Sequence, residues 1–238
     1  MPLHSDSELT DARIAANLAA VRARIDAALA RAGREPGSAT LVAVTKTVGI
    51  ETVARLIAAG QHHFGENRVD QLVAKAAAFP EARFDLIGSL QTNKVRHVVG
   101  TARLIHSVDS LRLLDAIDER ARAIGVVQPV LIQVNVSGEE SKHGITPAEL
   151  PSVLTHASQL VGARVDGLMT MAPLGDPESA RRVFGDLRTL REEVGALRGV
   201  AVGDVVSLTQ LSMGMSNDFE VAIEEGATLV RVGSALFV

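Results

Sequence analysis

Short apolar runs alternate with amphipathic stretches along nearly the whole chain. The first amphipathic stretch covers about 5–32. Ile14, Leu18, Val21, Ile25 and Leu29 recur there at three- and four-residue spacing, which puts one apolar stripe on a helix. Ser5 followed by Glu8 offers a capping box at its start, and Gly33 a C-cap at its end. The run from Leu41 to Lys46 is different. It is short, rich in small and β-branched residues and without helical period, so it predicts a strand covered on both faces.

The same beat then repeats. A helix carrying Val53, Leu56 and Ile57 closes at Gly60, and further strands are predicted over 62–66, 84–90, 104–108, 130–136, 165–171, 205–211 and 228–237. Helices are predicted between them. One covers 67–78 and one opens near Thr92. Another carries Leu111, Leu114, Ile117 and Ile124 and stops at Gly125. Thr146-Pro147-Ala148-Glu149 is a capping box with proline at the first helical position. Asp176-Pro177-Glu178 opens a helix with Val183, Leu187, Leu190 and Val194 on one face, and a last helix ends at Gly226. The second and fourth strands are the shortest and carry histidines.

Eight strands separated by helices imply a parallel sheet, because each parallel crossover needs a helix. Eight is also the number that closes a (β/α)8 barrel, so the expected fold is an α/β barrel of the TIM type with an extra N-terminal helix. An open doubly wound sheet is the other arrangement with this pattern. No linker or composition shift divides the chain, and 1–238 reads as one domain.

Composition removes several function classes. A net charge of −4 with no Lys/Arg block argues against a nucleic-acid partner. The absence of cysteine excludes disulfides, thiolate metal ligands and thiol catalysis, and fits a cytoplasmic location. No apolar signal core and no bilayer-length apolar segment is present, so no membrane role is expected. His62, His63, His106 and His143 lack metal-ligand spacing and read as capping or core residues, so no metal site is expected.

The candidate chemistry lies where a barrel puts it, at the C-terminal ends of the strands. Lys46 ends the first strand. Apolar surroundings there would lower its pKa and expose an amine that can condense with an aldehyde; the plain alternative is a lysine that snorkels into solvent. After the seventh strand, Leu211-Ser212-Met213-Gly214-Met215-Ser216-Asn217-Asp218 supplies hydroxyls, a glycine and a predicted helix start near Ser216. Gly233 and Ser234 at the eighth strand allow backbone N–H groups to approach a phosphate closely. Arg231 sits inside an apolar strand and needs acceptors. These are either a carboxylate such as Asp166 or a ligand atom at the barrel mouth. An amine, a phosphate cradle and an arginine between them fit a phosphorylated aldehyde, of which pyridoxal 5'-phosphate (PLP) is the common one. Lys142 reads as a solvated loop lysine, with a second amine assisting PLP loading or release as the other reading.

The chain resembles the pyridoxal phosphate homeostasis protein family, whose barrel is similar to the N-terminal domain of alanine racemase. The landmarks are Val44-Thr45-Lys46-Thr47, Phe64-Gly65-Glu66-Asn67, Leu86-Ile87-Gly88-Ser89-Leu90-Gln91-Thr92-Asn93-Lys94, Asn135-Val136-Ser137 through Ser141-Lys142-His143-Gly144, Gly167-Leu168-Met169, Leu211-Ser212-Met213-Gly214-Met215-Ser216 and Val230-Arg231-Val232-Gly233-Ser234. The resemblance implies that Lys46 carries PLP as a Schiff base and that Ser216, Gly233 and Ser234 hold its phosphate, with Ser212 helping. It implies that Arg231 faces the pyridine nitrogen and that Asn67 and Met213 line the pocket. Val48 departs from relatives that carry a second basic residue there.

In alanine racemase the second face of the cofactor is served by a tyrosine from an additional β-domain, and this chain contains no tyrosine. The first expectation is therefore a monomeric, cytoplasmic PLP carrier that contributes to PLP homeostasis, supplies apo PLP-dependent enzymes and has no catalytic residues of its own. A small PLP-dependent racemase or decarboxylase is the second reading. A barrel for another phosphate ester, without a Schiff base, is the third.

Overall fold

The computed structural model describes residues 10–139, 143–173, 175–196 and 205–238. Eight strands lie among them: Thr40–Val44 (β1), His63–Glu66 (β2), Arg83–Leu86 (β3), Ile105–Val108 (β4), Gln128–Gln133 (β5), Ala163–Met169 (β6), Val206–Ser212 (β7) and Leu229–Val232 (β8). They pair in sequence order into a closed parallel barrel. The closure is the β1–β8 ladder, which runs from Thr40↔Leu229 to Ala43↔Val232. The open doubly wound sheet is thereby ruled out.

Among the described residues eight α-helices accompany the strands: Asp11–Arg31 (α1), Ile50–Ala58 (α2), Val69–Ala78 (α3), Val95–Val98 (α4), Leu111–Ala123 (α5), Leu150–Ala157 (α6), Pro177–Ala196 (α7) and Phe219–Glu224 (α8). On α1 the five stripe residues are all buried. Its N-cap is Thr10, whose hydroxyl accepts from the Arg13 N–H; Ser5 and Glu8 lie outside the described residues. The helix is fixed across α8 by Arg24 to Glu220 and Arg31 to Glu224, with the Arg24 guanidinium 4.6 Å over the Phe219 ring. On α5 the expected stripe is out of phase at both ends. Leu111 and Ile124 are exposed, while Leu113, Leu114, Ile117 and Ala121 are buried. Ser110 caps the helix through the Leu113 N–H, so Leu111 is its first residue and Ile124 its C-cap, and neither faces the barrel.

Several strands are shorter than the apolar runs that announced them. β1 ends at Val44 rather than Lys46, β3 at Leu86 rather than Leu90, and β8 at Val232, passing into a 3-10 turn at Ser234–Leu236. Apolarity outlasts the ladder because loop residues such as Leu90, Met213 and Leu236 are buried as well.

Inside the barrel, Val42, Leu104, Leu131, Met169 and Leu229 form an apolar cluster separate from the larger core under the helices. Strand alternation returns to the same face every two residues. Two positions beyond Leu104 and Leu229 stand His106 and Arg231, both buried. The interior thus changes from apolar to polar toward the C-terminal mouth.

Candidate functional site

The site is built from the ends of β1, β7 and β8, and the first part to fix is the turn that carries Lys46. The Thr45 N–H donates to the Gly65 carbonyl at 3.2 Å and extends the ladder by one residue. The Thr45 hydroxyl donates to Glu66 Oε1 at 2.5 Å. Lys75 Nζ, from α3, donates to the same Glu66 oxygen at 2.6 Å and to the Thr45 carbonyl at 2.8 Å. That carbonyl also accepts from the Val48 N–H at 3.2 Å, closing the turn. Lys46 lies in this turn with its side chain exposed. Of the two readings of Lys46, the side chain that reaches solvent is the one seen, and the lysine buried among the described residues is Lys75. A buried ammonium needs a counter-ion, and Glu66 provides one for Lys75.

The loops after β7 and β8 are joined to each other. Ser216 Oγ accepts from the Gly233 N–H at 3.1 Å. The turn holding Ser216 is closed in both directions. The Met215 N–H donates to Asp218 Oδ1 at 2.5 Å, and the Asp218 N–H to the Met215 carbonyl at 3.1 Å. Because Asp218 caps this turn, α8 starts at Phe219 and not near Ser216. Burial raises the Asp218 carboxyl, opposed by the Met215 N–H and the Arg231 charge. Gly214 has φ +91°, and a Cβ on it would fall 2.5 Å from Ala222 Cβ. A Cβ on Gly233 would meet the Val44 carbonyl oxygen at 3.2 Å. The register Val42↔Arg231 and Ala43↔Val232 therefore carries on into a close approach of Val44 and Gly233. Val44, two residues before Lys46 in the chain, thus abuts Gly233 at the C-terminal end of the barrel. Ser234 is exposed there and opens the 3-10 turn. Asn67, just beyond β2, is exposed, whereas Met213 is fully buried in the apolar core.

Arg231 is buried, and its neighbours differ from the carboxylate partner that the sequence offered. Nη1 donates to Ser212 Oγ at 2.5 Å and Nη2 to the Thr170 carbonyl at 2.9 Å. Asp166 is taken by Arg164, two residues before it on β6, in a bidentate pair at 2.6 and 2.9 Å. Burial pulls the Arg231 guanidinium down to about 10, with Asp218 opposing, so it stays charged at neutral pH.

Ser212 leads deeper into the barrel. Its hydroxyl is 2.8 Å from His106 Nδ1, and His106 Nε2 is 3.0 Å from Asp85 Oδ2. Asp85 also accepts from Arg103 at 2.8 and 2.9 Å and lies 2.6 Å from His63 Nε2. Burial would raise the Asp85 carboxyl, but the bonds from His106, His63 and Arg103 outweigh it and hold the group well below the usual carboxylate range. His106 is pushed down by burial and by the charges of Arg231 and Arg103, with Asp85 opposing. Reading His63 and His106 as mere capping or core histidines missed this string. The available signal was Asp85 and His106 as titratable side chains within short, otherwise mostly apolar strands. Glu66, Lys75 and Asp218 were missed too, and nothing in their spacing marks them. Lys142 and Ser141 lie outside the described residues. Among the described residues, no cluster of three or more His, Asp or Glu side chains is placed to hold a metal.

The groups at the mouth are an exposed amine, two hydroxyls, one of them paired with the Gly233 N–H, and a buried guanidinium. They suit a ligand that combines an aldehyde, a phosphate and a ring acceptor.

The family model described as alanine racemase, N-terminal domain, matches residues 16–238. A curated relative from Aquifex aeolicus, the pyridoxal phosphate homeostasis protein, is 44% identical over 223 residues, covering 92% of this chain and 95% of that one. A solved structure of an unknown protein from Bifidobacterium adolescentis superposes with a TM-score of 0.87 at 38% identity, covering 100% of this chain and 98% of that one. PipY of Synechococcus elongatus, solved with PLP bound, gives a TM-score of 0.80 at 36% identity over 94% of this chain and all of that one. By sequence match and barrel architecture alike, the chain belongs to the pyridoxal phosphate homeostasis protein family, on the barrel of the alanine racemase N-terminal domain.

Proposed function

We propose that this protein binds PLP at the barrel mouth, holds it covalently on Lys46 and contributes to intracellular PLP homeostasis as a carrier. The observation that carries the reading is the shared edge at Val44 and Gly233. It sets the Lys46 turn beside the Gly233–Ser216 loop pair, so an amine and an anion cradle serve one ligand. PLP, when bound, supplies an aldehyde carbon that takes a lysine nitrogen in place of its oxygen, releasing water. The chain's own residues divide the remaining work. Ser216, Gly233 and Ser234 take the phosphate, while Ser212, buried with its hydroxyl between His106 and Arg231, serves the arginine instead. Arg231 donates toward the ring nitrogen. A guanidinium keeps its proton, so that nitrogen stays unprotonated and the bound cofactor is a weak electron sink. Asn67 lines the exposed margin of the pocket, whereas Met213 is fully buried in the apolar core behind it.

The relatives support this reading by name, and PipY by its bound PLP. The carrier is favoured over a racemase or decarboxylase because this chain offers no tyrosine to serve as a second acid on the opposite cofactor face. The proposal extends to a monomer in the cytoplasm that passes PLP to apo-enzymes. No helix among the described residues is long and apolar enough to cross a membrane.

The test is the visible spectrum of the purified protein with added PLP, before and after borohydride, beside Lys46→Ala. A visible band that borohydride removes, with the reduced label on the Lys46 peptide, is expected. Equal spectra for wild type and Lys46→Ala would overturn the assignment. Negligible exchange of the amino-acid Cα proton in the loaded protein is expected of a carrier, and sustained exchange would favour the enzyme reading.

A further inference from the structure

Behind Arg231 the protons of the Ser212–His106–Asp85 string can be assigned. Asp85 is fully buried and faces four donor nitrogens from His63, His106 and Arg103 within 3.0 Å. An ionised carboxylate only accepts, so His106 Nε2 carries a hydrogen and donates it. The groups facing the His106 ring are Asp85, Arg103, Arg231 and Ser212, two cations against one anion in a site closed to solvent. The imidazole is therefore neutral and its Nδ1 bare. The Ser212 O–H must donate to that Nδ1. Its oxygen then turns its lone pairs toward Arg231 Nη1.

We propose that His106 is a positioning residue for Arg231, acting through Ser212: by taking the Ser212 proton it leaves that oxygen a pure acceptor, which fixes the plane of the guanidinium at the barrel mouth. Two anchors, Ser212 Oγ and the Thr170 carbonyl, hold the two terminal nitrogens of the fork. A planar fork with both ends anchored has one orientation. With Ser212 free to rotate, its O–H could turn toward the arginine and one anchor would become a donor facing a donor. The inference rests on the reading that Arg231 faces the ring of bound PLP. It assigns the setting of that contact to His106, with Asp85 holding the tautomer, although neither residue reaches the ligand.

The test titrates wild type, His106→Phe, His106→Gln and Ser212→Ala with PLP, recording affinity, band position and a thermal melt. Phe removes both ring nitrogens. Gln keeps an acceptor for Ser212 and a donor for Asp85 at similar spacing. His106→Phe and Ser212→Ala are expected to bind PLP about tenfold or more weakly, the size of one lost hydrogen bond to a charged group, with a displaced band. His106→Gln is expected to restore both. A purely structural role would lower the melting temperature and leave the band of the folded protein in place. Unchanged affinity and band in His106→Phe, or His106→Gln as impaired as His106→Phe, would overturn the inference. Should His106→Phe not fold, Ser212→Ala against wild type decides it by the same two readouts. A wild-type protein without any PLP band overturns the cofactor reading, and this inference with it.

Discussion

Lys75, 1% exposed, holds its ammonium 2.6 Å from the equally buried carboxylate of Glu66. A buried ion pair is a poor way to gain stability, because desolvation offsets much of the attraction. Here the pair does something else. Through the Thr45 hydroxyl and carbonyl it fixes the residue before Lys46. The second Glu66 oxygen is buried with no partner among the described residues, which makes the ammonium harder to lose.

Removing only the cation should therefore be costly. Lys75→Met is expected to destabilise the protein by about 3–5 kcal/mol, the usual cost of stranding a buried charge. Glu66→Leu combined with Lys75→Met should recover most of that. Urea unfolding of both variants gives the comparison, and a double variant as unstable as the single one would refute the argument. Even where stability returns, borohydride-trapped PLP on Lys46 should form more slowly, since the Thr45 carbonyl has lost its buried donor.

Acid should weaken the fold in two steps. The folded pKa of His106 is depressed, while an unfolded histidine titrates near about 6.5. Below that value the unfolded chain binds a proton that the native site refuses. Stability present above about pH 6.5 is thus lost as pH falls toward the folded value, by at most about 1.4 kcal/mol per pH unit for this one group. His106→Gln should flatten this part of the curve, measured as urea midpoint against pH. Asp85, also depressed, contributes above its unfolded value near about 3.9, and this is lost only in stronger acid.

The two glycines of the mouth should respond differently to alanine. At Gly214 the new Cβ meets Ala222 Cβ at 2.5 Å and Phe219 Cα at 2.9 Å, on a backbone with φ +91°. Gly214→Ala is expected to cost more than about 2 kcal/mol, from strain and overpacking together. Gly233 has φ −123°, and its Cβ would only press on Val44 at 3.2–3.3 Å. Gly233→Ala should cost about 1 kcal/mol or less in stability but several-fold in PLP affinity. A thermal melt and a PLP titration on both variants separate the effects.

Lys46 is exposed, and its side chain makes no hydrogen bond or ion pair among the described residues. Lys46→Ala should leave stability within about 0.5 kcal/mol of wild type while abolishing the trapped label. A large loss of stability would show that the side chain serves the fold rather than the ligand.

The barrel was legible in the sequence because its signals are local. The 3.6-residue stripe of α1, the Thr146 to Glu149 capping box and the β-branched runs each depend on residues within a turn or two of one another. Lys46, Ser216, Arg231, Gly233 and Ser234 could be placed at the mouth by the same means, since a barrel puts the strand ends at one face. The ends of elements were less legible. α8 begins at Phe219 because the Asp218 side chain and the Met215 backbone close a turn first, and that geometry leaves little trace in composition.

What the sequence by itself determined is the alternation of strand and helix, the closure number and the residue types offered at the mouth. What only the tertiary structure decided is which of those residues meet. Arg231 binds Ser212 and Thr170 rather than Asp166, Lys75 takes the buried carboxylate that leaves Lys46 to solvent, and Asp85 reaches Arg231 through His106. These pairings join residues 9 to 106 positions apart in the chain. Alternation along a strand says which way a side chain points. The partner is chosen by the register and curvature of the closed sheet, together with the requirement that each buried charge find a counter-charge or a hydrogen bond.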